Sequence, residues 1–260
     1  MDYAVICIVA VSVSGLTLFS GFGLGTLLMP AFALFFPVPV AIAATAVVHL
    51  ANNIFKVFLV GRKADMGVVL RFALPGAAAA MLGAWMLRLF ADIEPLAIYT
   101  LGNRACEVTA IKLVIGVLII GFALLELLPF FRGLAFDRKY LSLGGLLSGF
   151  FGGLSGNQGA LRSAFLIRAG LSKEAFIGTG TVAAVIVDAA RLLVYGVGFY
   201  SVKLENTSEI RGLVIAATGA AFLGAFIGKR LIIKITLSAL QTIVGLMLIM
   251  VGAGMAAGLL

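Results

Sequence analysis

The chain has 260 residues, of which 62% are hydrophobic and only 12% charged, with a net charge of +8 and a mean hydropathy of +1.18. Water-soluble globules carry about 25% charged residues, so the composition excludes a soluble domain and sets the whole chain in a membrane. Most Lys and Arg fall in short clusters between apolar runs, as membrane-orientation signals do, and this excludes nucleic acid as the reason for the basic balance.

Apolar segments run at about 4 to 36, 40 to 60, 68 to 90, 109 to 131, 141 to 169, 174 to 200, 211 to 228 and 236 to 259. Most approach the roughly 20 residues a spanning helix needs. The first begins beside Asp2 with no basic n-region and runs past signal-peptide length, so it is expected to be retained. Cys7 and Cys106 show neither CxxC nor metal-ligand spacing. No cofactor or metal is expected.

The first and fifth segments are too long and are interrupted by glycine. In the fifth, Gly152-Gly153-Leu154-Ser155-Gly156-Asn157-Gln158-Gly159 separates Leu141 to Phe151 from Ala160 to Ala169. One straight helix over the whole would measure roughly 43 Å at 1.5 Å per residue, beyond a hydrocarbon core of about 30 Å. Each arm alone covers about half a bilayer. The pattern predicts a hairpin that enters the membrane, breaks at the glycine-rich tip and returns. Non-helical backbone at that depth is tolerated where protein or a water-filled cavity surrounds it, so the tip should line a site.

The first segment carries its own break over Gly21 to Pro30. Sliding the second half onto the first by 134 residues sets Gly159 on Gly25 and Thr179 on Thr45, and later matches pair Gly83 with Gly224 and Gly116 with Gly245. The expected fold is therefore an all-α integral membrane protein of two four-segment repeats, each a glycine-broken re-entrant hairpin followed by three transmembrane helices. The first repeat spans 1–131, a connecting loop 132–140 and the second repeat 141–260. Paired glycine-interrupted segments at equivalent places in two halves point to a transporter's binding site. Close packing at small residues would be the simpler reason for the glycines.

Orientation tests the hairpins. If all eight segments cross, the loop cations divide eight against eight. If the first and fifth are re-entrant, Arg168 and Lys173 join Arg62 and Lys63, and the division becomes eleven against five. The second arrangement restores the bias expected of cytoplasmic loops, makes the repeats inverted, and sets both chain ends outside the cytoplasm.

Arg162 lies one turn after the second tip. An arginine near mid-membrane costs about 2.5 to 3.5 kcal/mol on insertion scales, so it needs a partner or an anion. The half-helix it sits on points free N–H groups and a positive dipole end at the tip. Gly25 and Thr26 start the equivalent half-helix, after Gly23. Two such N-termini plus one guanidinium make an oxyanion cradle; snorkelling or a structural ion pair is the plainer alternative for Arg162. Asp188 and Arg191 stand three apart on one helix face, as a buried ion pair or with Asp188 in proton coupling. His49, the only histidine, is a second candidate for proton coupling, or a packing residue. Asn52, Asn53 and Lys56 share much of its face, and Lys56 and Arg191 are candidate anion contacts. Ser155, Asn157, Gln158, Thr26, Thr45 and Thr179 add uncharged hydrogen bonds near the tips, with backbone at Gly156 and Gly159.

These motifs together resemble a known family. G-F-G-L-G-T-L-L-M-P at Gly21 to Pro30 followed by A-I-A-A-T-A at Ala41 to Ala46, and G-F-F-G-G-L-S-G-N-Q-G at Gly149 to Gly159 followed by I-G-T-G-T at Ile177 to Thr181, are similar to the sulfite exporter TauE/SafE family, also called the toluene sulfonate uptake permease family. The resemblance covers about residues 5 to 258. It implies a multi-pass secondary carrier of the bacterial inner membrane, expected to export sulfite, sulfoacetate or another organosulfonate. It also implies that Gly21, Gly23, Gly25, Thr26, Pro30 and Thr45 belong to one signature, and Gly153, Ser155, Gly156, Gly159 and Thr179 to the other. The expected partners are a small anion and the bilayer. A carboxylate carrier, or a membrane-embedded enzyme acting on a lipid or thiol, are the alternatives; an enzyme would need a nucleophile with its base or a metal cluster.

Overall fold

A computed structural model describes residues 2–20, 24–102, 104–128, 135–199, 207–231 and 237–260. Its helices are α1 (Asp2–Ser20), α2 (Leu24–Ala33), α3 (Val38–Val60), α4 (Met66–Ala91), α5 (Ala110–Leu127), α6 (Leu141–Ser155), α7 (Gly159–Leu166), α8 (Lys173–Phe199), α9 (Thr207–Leu231) and α10 (Leu237–Ala256). Four stretches among the described residues are long and apolar enough to cross a membrane: Val38–Lys63, Met66–Ala91, Lys173–Gly196 and Ile210–Gly228. Large apolar side chains such as Phe58, Leu193 and Ile215 point outward, which suits a perimeter bathed in acyl chains. The chain is thus a helical, multi-pass membrane protein.

One element departs from pure helix. Strands β1 (Ala97–Leu101) and β2 (Arg104–Val108) form an antiparallel hairpin between α4 and α5, with Tyr99 opposite Cys106. Ala-Ile-Tyr-Thr-Leu favours extended backbone because its β-branched and aromatic side chains fit a pleated surface, and Gly102 enters the turn at φ 63°.

Small residues set how the helices meet. Gly145, Gly149 and Gly153 of α6 lie against the carbonyl oxygens of Phe72, Gly76 and Ala80 of α4, so closely that a Cβ on any of them would overlap backbone. The two helices run parallel. α1 and α9 do likewise, through Gly224 on Val11 and Gly228 on Gly15. Such residues let helix backbones approach where lipid offers no hydrophobic drive between helices. α3 and α8 run antiparallel, since Gly178 meets Val60 and Ala64 at one end while His49 meets Asp188 further along. α5 and α10 are antiparallel too, with Gly116 against Gly252 and Gly245 against Leu127.

The fifth segment is broken at Gly156 to Gln158. Gly156 ends α6 in the left-handed region, φ 82°, where a side chain would be strained. The chain then reverses, bringing Phe165 of α7 against Gly144 near the start of α6, and Phe136 N donates to Ala164 O at 3.1 Å. The turn after α7 lies at the same end of the bundle as the α3–α4 connection, because Asp65 N donates to Thr179 Oγ1 at 2.9 Å. Arg168 and Lys173 therefore share an end with Arg62 and Lys63. Gly21 and Gly23, at the first break, lie outside the described residues.

Candidate functional site

Asp188, midway along α8, is the hub of a buried polar cluster. Its Oδ1 accepts from Arg191 Nη2 at 2.7 Å, Arg191 Nε at 3.0 Å and Gln158 Nε2 at 3.0 Å. Its Oδ2 lies 2.6 Å from His49 Nδ1 and accepts from Asn53 Nδ2 at 3.2 Å. Three parts of the chain thus converge on one carboxylate: α3, the tip after α6, and α8 itself. Both Asp188 and Arg191 are fully buried, and such a pair persists only when its remaining donors and acceptors are satisfied.

The same helix holds the tip. Arg191 Nη1 donates to Gly152 O at 2.8 Å and Tyr195 Oη donates to Gly153 O. Both carbonyls lie in the last turn of α6, where Gly152 O also accepts from Gly156 N at 3.0 Å and a helix end leaves later carbonyls without an intrahelical donor. Asp188, Arg191 and Tyr195 stand at i, i+3 and i+7, one stripe of α8. Within the tip, Ser148 Oγ donates to Gln158 O at 3.0 Å, Ser155 Oγ donates to Phe151 O at 2.9 Å, and Asn157 N reaches Ser155 Oγ at 3.4 Å. The first turn of α2 touches this tip. A Cβ on Gly25 would come within 2.9 Å of Gly156 O and 3.7 Å of Thr45 Cγ2, so only a glycine lets the two backbones come this close.

Several polar groups here face no protein partner. Asn157 Nδ2 and Oδ1, Thr45 Oγ1 and Arg162 Nη1 are buried without a hydrogen bond. Each orphan costs about 1–3 kcal/mol. Arg162 occupies the first turn of α7, its Nε beside Gly180 of α8, within electrostatic reach of His49, Asp188 and Lys56. Lys56 meets neutral company: the Asn52 amide, turned to satisfy both its groups, accepts from Lys56 Nζ and Ser14 Oγ at 3.2 Å each and donates to Ala221 O at 3.3 Å.

Of the residues singled out in the sequence, Gly25, Thr45, His49, Ser155, Gly156, Asn157, Gln158, Gly159, Asp188 and Arg191 lie at or beside the tip, with Arg162 one turn on. Thr26 is buried on α2. Asn52 and Lys56 form the adjoining group toward α1 and α9. Thr179 is apart from the tip, accepting the Asp65 N–H at the N-cap of α4. Gly23 lies outside the described residues. Tyr195, Ser148 and Ser14 escaped sequence reasoning. The i, i+7 spacing from Asp188 would have found Tyr195, and Ser148 and Ser14 stand 134 positions apart, the offset of the sequence comparison.

A multi-pass helical bundle with a buried, cation-bearing polar cluster at a broken helix defines a membrane protein built to receive a polar solute. A family model described as Sulfite exporter TauE/SafE matches residues 4–255, and the chain belongs to that family. Membership makes it a membrane transporter of sulfur-containing anions such as sulfite. No curated protein and no solved structure matches the chain.

Proposed function

We propose that the chain is a secondary transporter of a small sulfur-containing oxyanion, such as sulfite, sulfoacetate or another organosulfonate, in the bacterial inner membrane. It works by alternating access around an anion site near the bilayer midplane, between the tips of two re-entrant hairpins in inverted repeats. The repeat reading is supported by the antiparallel pairs α3 with α8 and α5 with α10, since equivalent helices of inverted repeats run in opposite directions. It is supported again by the reciprocal packing of α4 on α6 and α9 on α1. The re-entrant reading is supported by the return of α7 to the end bearing Arg62 and Lys63, the arrangement that divides the loop cations eleven against five.

The observation that carries the function is Arg162. Its guanidinium holds its charge in any surroundings, and its Nη1 is buried with no acceptor, at the start of a half-helix whose N-terminal dipole also favours an anion. Arg191 offsets Asp188, so the charge of Arg162 is left for a ligand. Asn157, Thr45 and Lys56 are the further contacts, with Thr26, Ser155, Gly159 and the Gly25–Gly156 backbone shaping the cradle.

The test is a thermal-shift screen of purified protein with sulfite, thiosulfate, sulfoacetate, taurine and carboxylate controls, followed by radiolabelled flux in proteoliposomes. A ligand of the folded state raises apparent stability. Stabilisation and flux with sulfur oxyanions are expected; a response to carboxylates alone, or none at all, would sink the reading.

A further inference from the structure

The hub fixes which ring nitrogen of His49 carries its proton. Oδ1 of Asp188 accepts two N–H groups of Arg191 and one of Gln158, and Oδ2 accepts one of Asn53. A carboxyl group so placed, against a guanidinium, is ionised and acts only as an acceptor. The 2.6 Å contact to His49 is therefore Nδ1–H donating to Oδ2. In the neutral ring the lone pair then lies on Nε2, which among the described residues meets Asn53 Nδ2 at the outer limit of 3.5 Å. Nε2 is the atom with room for a proton.

The charges around that ring decide when the proton comes. Asp188 and Arg191 of α8 and Arg162 of α7 act on it, and Lys56, two turns further along α3, acts on Arg162. Arg191 already answers Asp188. A proton on Nε2 without an anion at Arg162 would add a cation whose one facing carboxylate, Asp188, already answers Arg191, with the Arg162 charge near it. An oxyanion seated at Arg162 reverses that sign, because it brings negative charge into a low-dielectric space where close charges interact strongly.

We propose that the anion and one proton are co-ligands of this site: Nε2 of His49 takes a proton from water as the oxyanion binds at Arg162, and the two cross together. Asp188 is the positioning residue, holding the tautomer and the ring's orientation. This rests on the anion-transport reading above. Coupling between two ligands is reciprocal, so the anion raises the affinity for the proton as much as the proton raises that for the anion. A singly charged sulfonate accompanied by one proton crosses with no net charge, and its transport follows the pH difference across the membrane and ignores the electrical potential.

The chain has one histidine, so ¹⁵N-imidazole spectra of full-length protein purified through a histidine-free tag report His49 alone. The probes are thiosulfate and 2-hydroxyethanesulfonate, whose charges are constant across about pH 6 to 9, the range that brackets an imidazole. On anion addition the ring should pass from the Nδ1–H tautomer to imidazolium. A weakly buffered sample should take up as much as one proton per anion, and affinity should tighten toward tenfold for each pH unit lowered. His49→Gln should bind with flat pH dependence and no uptake. Anion binding without proton uptake, or an unchanged imidazole spectrum, would overturn the proposal while leaving anion transport standing. Failure of these probes, sulfite and sulfoacetate to bind at any pH would overturn both. The spectra and proton count need no variant, so they decide the matter even if His49→Gln does not fold.

Discussion

α3 and α8 run antiparallel and meet at His49 and Asp188, yet they carry opposite kinds of polar group. α8 presents Asp188, Arg191 and Tyr195, each hydrogen-bonded. α3 presents Thr45, His49, Asn53 and Lys56, of which Thr45 Oγ1 is unpaired and Lys56 is met by a neutral amide. Ser14 and Ser148, 134 positions apart in the sequence, follow the same split. Ser148 ties the tip to itself, whereas Ser14 serves the Asn52–Lys56 group. The α8 side is a clasp whose polar groups are all engaged, and the α3 side leaves Thr45 Oγ1 open.

The largest effect that would break this comparison falls on the clasp. Asp188→Asn leaves Arg191 buried without its counter-ion and should cost about 3–5 kcal/mol of stability, read as a large fall in thermal unfolding temperature. Next comes Arg162→Ala, which should weaken oxyanion binding by about 2–5 kcal/mol with little loss of stability, measured by calorimetry; unchanged affinity removes Arg162 from the site. Lys56→Met sharpens the contrast. Removing a buried cation that no carboxylate answers should leave the unfolding temperature level or higher, while affinity falls about tenfold, near 1.4 kcal/mol. The smallest effect belongs to Tyr195→Phe, which frees Gly153 O and should cost about 0.5–1.5 kcal/mol.

Composition and segment length carried most of the architecture, because the bilayer demands apolar runs of a set length and punishes exposed backbone. The over-long fifth segment had to break, and the helix ends at Ser155 inside the glycine-rich stretch. Arg162, Asp188 and Arg191 were legible as sites of interest because charge is scarce in such segments. Partners were less legible. Asp188 and Arg191 could be paired from their spacing, but Gly152 O, Gln158 and His49 arrive from other elements. Thr179 matched Thr45 by register while its hydroxyl accepts the N–H of Asp65, the N-cap residue of α4, a use that depends on where an antiparallel neighbour ends. The β1–β2 hairpin was hidden for another reason: five-residue strands give too short a pattern to stand out in a polar connection.

The packing of α6 on α4 and of α1 on α9 crosses the midpoint of the sequence. α6 and α1 each lean on a helix encoded in the opposite half, so neither half encloses its own first helix. Cut at the connecting loop, the polypeptide should yield fragments that stay incomplete apart and regain their shape when co-inserted.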